Sequence, residues 1–245
     1  VRPFSGKRYW LVGASEGLGL ALARKMSTAG AEVVLSGRDA GRLDEAVAAM
    51  PGKAAAQPVD VADRASVRDA AGRVGAVDGL VFLAGVYWPI RAQDWDADRV
   101  EAMCDVNFTG AARVVGAVLP GMVARGSGHV VLTGSLSGFR GLPGAIGYSA
   151  SKAGLMSLAE SLYADLRGTG IDVQLANPGF IRTRLTDKND FSMPFLMEPD
   201  AAAQVMFDHM RHGGFKTSFP RLFSLLFRGG QFLPDAVWYR MFPRR

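Results

Sequence analysis

Short unbroken apolar runs alternate with amphipathic stretches along most of this chain, and few folds tolerate that rhythm. The runs at 8–14, 31–37, 53–59, 77–84, 128–135 and 171–176 read as strands. Helical periodicity covers 17–29, 40–50, 62–74, 96–124 and 147–167 between them. The strand runs, such as Gly79-Leu80-Val81-Phe82-Leu83-Ala84, lack the in–out alternation of a half-exposed strand. They suit parallel strands covered on both faces. Strand and helix in turn predict a doubly wound α/β sheet with right-handed crossovers. Beyond 176 the rhythm weakens into a long loop at 177–197, a helix at 198–212, a last strand at 215–220 and an aromatic tail.

No repeat, low-complexity tract or linker marks a second unit, and 245 residues suffice for one α/β domain. Residues 1–245 are therefore expected to form one domain, with 180–197 a lid and 198–245 an extension for substrate or oligomer contact. A long loop inside a compact domain is usually functional. Apolar residues make up 49% of the chain and charged ones 21%, which excludes a disordered chain. The single cysteine, Cys104, excludes an internal disulfide and reads as packing. No apolar run reaches the ~20 residues of a membrane span, and none before the first glycine motif is long enough for a signal peptide. A cytoplasmic location is the expectation. The net charge is +5, but the basic residues are spread among carboxylates, so a solvated surface is expected rather than a nucleic-acid site.

Between the first strand and first helix stands Gly13-Ala14-Ser15-Glu16-Gly17-Leu18-Gly19. Missing side chains let the backbone turn tightly and approach a pyrophosphate, and the helix N-terminus offers it free N–H groups. The spacing is G-x-x-x-G-x-G, not the G-x-G-x-x-G of the Rossmann fingerprint. A tight connection without ligand is the alternative; the position at the first strand–helix junction favours a nucleotide. The second strand ends Leu35-Ser36-Gly37-Arg38-Asp39. An NAD enzyme sets a carboxylate there for the ribose hydroxyls, whereas a guanidinium can stack on adenine and pair with a 2′-phosphate. Gly37 followed by Arg38 thus favours NADP over NAD. Glu16 works against it, as a carboxylate in the phosphate loop. Asp60 is placed to bond the adenine amino group, while Asp63 suits the N-cap of the next helix better.

Tyr148 and Lys152 stand four apart in Tyr148-Ser149-Ala150-Ser151-Lys152, on one face of a helix. An ammonium beside a phenol favours the phenolate, so the Tyr148 pKa is expected to fall toward working pH, where an acid/base acts best. Ser135 ends the fifth strand, at the edge of the ligand crevice, where a hydroxyl can orient a substrate carbonyl. Asn107 lies in mid-helix against its propensity, which points to a bent backbone or an ordered water. A Tyr-x-x-x-Lys pair alone is common; these residues together on their respective elements are far more specific.

With GASEGLG at 13–19, Asp60-Val61, Asn107, Ser135, YSASK at 148–152 and Asn177-Pro178-Gly179, residues 8–185 resemble the short-chain dehydrogenase/reductase family of the compact type. The resemblance implies a seven-stranded Rossmann-type sheet with helices on both faces. It implies an NAD(P)-dependent oxidoreductase acting on a carbonyl or secondary alcohol, paired as a homodimer or homotetramer through the fourth and fifth crossover helices. By it, Tyr148 moves the proton, Ser135 orients the carbonyl, Lys152 holds the nicotinamide ribose, and Asn107 anchors a water in a relay to Lys152. Cofactor contacts would come from Gly13, Ser15, Glu16, Gly17, Leu18 and Gly19, from Ser36, Arg38, Asp60 and Val61, and from Ala84, Gly85, Tyr148 and Lys152. Pro178, Gly179, Ile181 and Thr183 would line the nicotinamide. One departure stands out: where the family shows Asn-Asn-Ala-Gly, this chain has Phe82-Leu83-Ala84-Gly85, so Leu83 cannot supply the amide bonds that brace that turn.

Outside that core, Phe191, Met193, Phe195, Leu196 and Met197 would give a lid an apolar inner face for an apolar substrate, or would simply pack on the domain. The tail from 219 to 245 is rich in aromatics and arginine, and Gly229-Gly230 and Pro234 break it into two short helical pieces. It packs on the substrate side or a partner subunit, or lies on a membrane surface. His209 and His212 sit three apart on a helix, with no further ligand pattern to complete a metal site, and no metal is expected. The competing function is a nucleotide sensor on the same fold that no longer turns over.

Overall fold

In the computed structural model, which describes residues 1–188 and 193–242, seven parallel strands form one sheet. They are β1 (Arg8–Val12), β2 (Glu32–Ser36), β3 (Ala54–Ala56), β4 (Gly79–Phe82), β5 (Gly128–Thr133), β6 (Ile171–Pro178) and β7 (Lys216–Phe219). Their order is β3-β2-β1-β4-β5-β6-β7, so the chain winds outward from β1 to β3 and then crosses back to β4. The carboxyl ends of β1 and β4 flank that reversal, where open α/β sheets bind ligands.

The helices are α1 (Gly17–Thr28), α2 (Ala40–Ala48), α3 (Arg64–Val74), α4 (Ala97–Cys104), α5 (Gly110–Arg125), α6 (Ile146–Leu166), α7 (Pro199–His212), α8 (Arg221–Gly230) and α9 (Asp235–Arg240). Successive strand residues serve opposite faces, which explains the unbroken apolar runs. Trp10, Val12, Leu80, Phe82, Val130 and Leu132 pack with Val67, Val114, Met122 and Leu155 of α3, α5 and α6. Tyr9, Leu11, Val33, Leu35, Val81 and Val131 pack with Leu22, Leu43, Met206 and Met210 of α1, α2 and α7. Three helices begin on an aspartate that accepts a backbone N–H: Asp39 from Arg42, Asp63 from Ala65 and Asp96 from Arg99.

Some expectations shift. β3 is only three residues long, and β6 runs on to Pro178 because its end pairs with β7. The helix expected over 96–124 is interrupted by a π-helical turn at Asp105–Thr109. The stretch Ala97–Arg125 is long and apolar enough to cross a membrane by length and composition only. Here it covers the sheet instead: Val114, Val118 and Met122 enter the core and Arg113 pairs with Asp105 at 2.7 Å. A buried chain of side chains ties β1 to β5 and β6. The Tyr9 hydroxyl lies 3.0 Å from His129 Nδ1, and His129 Nε2 lies 2.8 Å from Gln174 Oε1. Burial pushes the His129 pKa down to about 3, so the ring stays neutral.

Ser36 also turns out to be structural. Its side chain is buried, accepts from Trp10 Nε1 at 2.7 Å and donates to the Gln57 carbonyl, so it faces the core and not the cleft. Its assignment as a cofactor contact is corrected accordingly. Ser36→Ala would strand the indole N–H in an apolar interior. Urea unfolding should show a loss of about 1–3 kcal/mol; an unchanged midpoint would contradict this reading.

Candidate functional site

At the carboxyl ends of β1, β4, β5 and β6 lies a cleft of about 390 Å³. Its walls come from the 13–19 turn, Arg38, Asp60 and Val61, Leu83 to Tyr87, Ser135, Tyr148, Lys152, and Pro178 to Ile181 with Thr183. The cofactor positions named from the sequence therefore meet in one place, Ser36 excepted.

The glycines explain how the turn sits so deep. Gly13 has φ +93°, and a Cβ there would stand 2.4 Å from the Ala84 nitrogen. A Cβ on Gly19 would stand 2.1 Å from the Gly13 oxygen. Helix α1 follows with Glu16 at its N-cap, extended and making no side-chain capping bond. Its first-turn N–H groups have no side-chain cap and border the cleft, an arrangement suited to a phosphate. The residues present thus fit a dinucleotide. The Glu16 carboxylate lies 3.5 Å from Arg42 Nη1 and 3.3 Å from Arg184 Nη1. Two guanidiniums offset the charge that the sequence set against a second phosphate. Arg38 is exposed at the mouth and makes no ion pair among the described residues. Asp60 Oδ1 accepts from Ala62 N at 3.0 Å, which holds the carboxylate in its turn, while Asp63 caps α3 as expected. Leu83, the departure from the family pattern, packs against the apolar layer beneath, and its N–H donates to the Val12 carbonyl at 2.7 Å.

Of the four residues named for catalysis, Ser135, Tyr148 and Lys152 line the cleft and Asn107 lies buried behind them. The π-turn carries Asn107 inward to complete burial. Asn107 Oδ1 accepts from Val86 N at 2.7 Å, and its Nδ2 donates to Val86 O and Ser151 Oγ, both at 3.0 Å. Gly85 lies between Asn107 and Lys152: a Cβ there would be 3.3 Å from Asn107 Oδ1 and 3.8 Å from Lys152 Nζ. Ser135 follows β5 in extended backbone and accepts from the Ser137 N–H at 3.2 Å and the Ser137 hydroxyl at 3.0 Å. Tyr148 is half-buried beside Tyr87, ring centroids 5.1 Å apart and edge to face. Lys152 is buried, and its Nζ donates to the Thr133 carbonyl at 2.8 Å.

The electrostatics correct the sequence expectation. Burial pushes the Tyr148 phenol up to about 12, with the Ser135 hydroxyl opposing it, and pushes Lys152 down to about 8. The expected lowering of Tyr148 by Lys152 is absent. The ammonium is drawn to the Thr133 carbonyl and stands 5.8 Å from the phenol ring centroid, and the apolar surroundings penalise both charges. Cys104 does not line the cleft, and burial raises its thiol pKa.

The sequence reading missed Tyr87, Leu142, Leu185 and Ser137 as lining residues, and no local signal marked them. It set the aromatic tail against the substrate side or a partner subunit, with a membrane surface as the alternative. Phe223 and Phe227 of α8 form an apolar wall of the cleft. Phe223 lies 5.9 Å from Phe180, 5.4 Å from Phe195 and 5.1 Å from Phe227, centroid to centroid. Of the expected lid, Ile181 bridges Met197 and Arg182 pairs with Glu198 at 2.7 Å, while Phe191 lies outside the described residues.

Comparison with known proteins follows the same lines. The sequence profile described as short chain dehydrogenase matches residues 7–192. An uncharacterized oxidoreductase of Myxococcus xanthus is 40% identical over 238 residues, covering 93% of each chain. The ketoacyl reductase HetN of Nostoc is 34% identical over 200 residues, covering 78% of this chain and 70% of that protein. A solved short chain dehydrogenase/reductase family protein superposes with a TM-score of 0.82 at 31% identity, covering 89% of this chain and 97% of the other. A short chain dehydrogenase/reductase from Burkholderia phymatum, solved with NAD, gives 0.86 at 25% identity, covering 93% and 94%.

The buried lysine has a measurable signature. In the folded chain it titrates near 8, against 10.5 for an ordinary lysine, so between those values the unfolded chain holds the extra proton. Stability from this group rises with pH across that window, and its deficit below pH 8 is at most about 3 kcal/mol. Lys152→Met removes the term. Urea unfolding at pH 7.5 and pH 9.5 should show the variant's advantage over the parent shrinking as pH rises; parallel curves would refute the assigned burial.

Proposed function

This chain belongs to the short-chain dehydrogenase family of NAD(P)-dependent oxidoreductases, and on that premise we propose that it reduces a carbonyl to a secondary alcohol, and reverses that reaction, with NADP(H) and with Tyr148 as acid/base. The observation that carries the reading is the convergence of Ser135, Tyr148 and Lys152 on one cleft wall, with Asn107 behind them. When bound, the nicotinamide supplies or takes the hydride at the carbonyl carbon. The 13–19 turn and the start of α1 hold the pyrophosphate, Asp60 and Val61 the adenine, and Lys152 the nicotinamide ribose. Pro178, Gly179, Ile181 and Thr183 shape the nicotinamide pocket. Ser135 donates to the substrate oxygen and fixes its position, and Tyr148 gives its proton to that oxygen as the C–O bond becomes single. With its pKa near 12, Tyr148 holds that proton at neutral pH, which suits the reductive direction. In the reverse direction the same oxygen takes the proton back.

Arg38 at the mouth, with Arg42 and Arg184 drawing Glu16 aside, supports a 2′-phosphate and hence NADP(H). The wall of Phe180, Phe223 and Phe227 supports a substrate with an apolar part, and the likeness to a ketoacyl reductase supports a ketoacyl group. We read residues 180–197 as the lid over that substrate. The exposed Phe108 and Tyr163, on the π-turn and α6, support a homo-oligomer paired through these elements.

Two substitutions test this. Tyr148→Phe should lower turnover of NADPH-dependent carbonyl reduction by about 10²–10⁴-fold and leave NADPH binding, followed by fluorescence, intact; turnover retained in that variant ends the acid/base assignment. Arg38→Ala should weaken NADPH about 10- to 100-fold and leave NADH unchanged, and an equal effect on both would remove the 2′-phosphate contact.

A further inference from the structure

Helix α8 is apolar on two sides, and among the described residues only one of them is packed. Phe223 and Phe227 face the cleft, and Gly230 is covered by Trp238, whose ring would lie 2.4 Å from a Cβ at that glycine. The opposite side carries Leu222, Leu225 and Leu226, spaced as one helical stripe and all exposed, Leu222 at 70%. The turn after the helix extends the stripe with Phe232, 88% exposed, and Leu233. Single exposed leucines need no explanation, but a stripe of this kind does.

The charges around it are mostly positive. Arg221 and Arg228 flank the stripe and Arg240 follows on α9. None of the three makes an ion pair among the described residues. The one carboxylate of this region, Asp235, is held by Arg140, which also donates to the Leu233 carbonyl at 2.8 Å and so pins the turn. A second copy docking here about a two-fold axis would set these arginines against one another. A sheet of anionic lipid headgroups takes both features at once, the leucines entering the acyl boundary and the guanidiniums pairing with phosphates.

We propose that the outer face of α8, with Phe232 and the flanking arginines, is a seat for an anionic membrane surface. Residues 221–242 then lie in the headgroup plane without crossing the bilayer. Since the inner face of the same helix walls the cleft, an apolar substrate would pass from the lipid past one helix to reach Tyr148; this consequence, unlike the seat itself, rests on the reading of the cleft given above.

Co-sedimentation of the full chain with vesicles tests the seat without any turnover. At low salt the protein should pellet with phosphatidylglycerol vesicles, remain in solution with pure phosphatidylcholine, and be released by high salt. Leu222→Ser, Leu225→Ser and Leu226→Ser together should weaken vesicle binding by about tenfold or more and leave NADPH affinity unchanged, since none of the three lines the cleft. Arg221→Gln with Arg228→Gln should weaken it through charge alone. Failure of the parent protein to pellet at low salt would overturn the proposal, as would undiminished binding by both variants. A dimer that the serine variant turns into monomers, with no vesicle binding by the parent, would assign the face to a second copy instead.

Discussion

At the floor of the cleft two backbones touch: Gly13 beyond the end of β1 and Leu83–Ala84 beyond the end of β4. A single methyl on Gly13 would fall within 2.4 Å of a main-chain nitrogen, which cannot yield as a flexible side chain would. That contact lets the first turn lie low enough for the N-terminus of α1 to open on the crevice. It also brings Gly85 down between Asn107 and Lys152. The binding side and the chemical side of the cleft are thus set by the same missing side chains.

The second constraint is poverty of solvent. Free lysine and tyrosine titrate within a unit of each other, lysine at 10.5 and tyrosine at 10.0. Burial drives them apart, to about 8 and about 12, because each neutral form is the less costly one in apolar surroundings. These apolar surroundings therefore keep the proton on the phenol. Any lowering of the phenol has to come from charge brought in by a ligand or from movement of Lys152 away from the Thr133 carbonyl. Neither is encoded in the spacing of two residues on a helix.

What could be read from the chain, and what could not, divides along this line. The sheet was legible because burial on both faces leaves unbroken apolar runs. The glycine turn, Ser135, Tyr148 and Lys152 were legible because their chemistry depends on local position on one element. Ser36 misled because the group that claims its hydroxyl, Trp10, sits on the neighbouring strand. The meaning of Glu16 was hidden for the same reason, since its partners Arg42 and Arg184 lie far along the chain. The extension of β6 to Pro178 depends on β7, some forty residues later. Phe223 and Phe227 stood out as aromatic, but only the folding of α8 over the cleft gives them a wall to form.

The π-turn at Asp105–Thr109 has a consequence beyond the burial of Asn107. One extra residue in a helical turn shifts the phase of everything after it by about 100°. Helix α4 before the turn packs on α6, whereas α5 after it packs on α3 and carries valines into the core. The shift is what lets one continuous rod serve two neighbours. A shortening by one residue here would do more than move an asparagine: it would rotate the valine stripe of α5 off the sheet, so the register of a whole layer depends on a one-residue surplus beside the site.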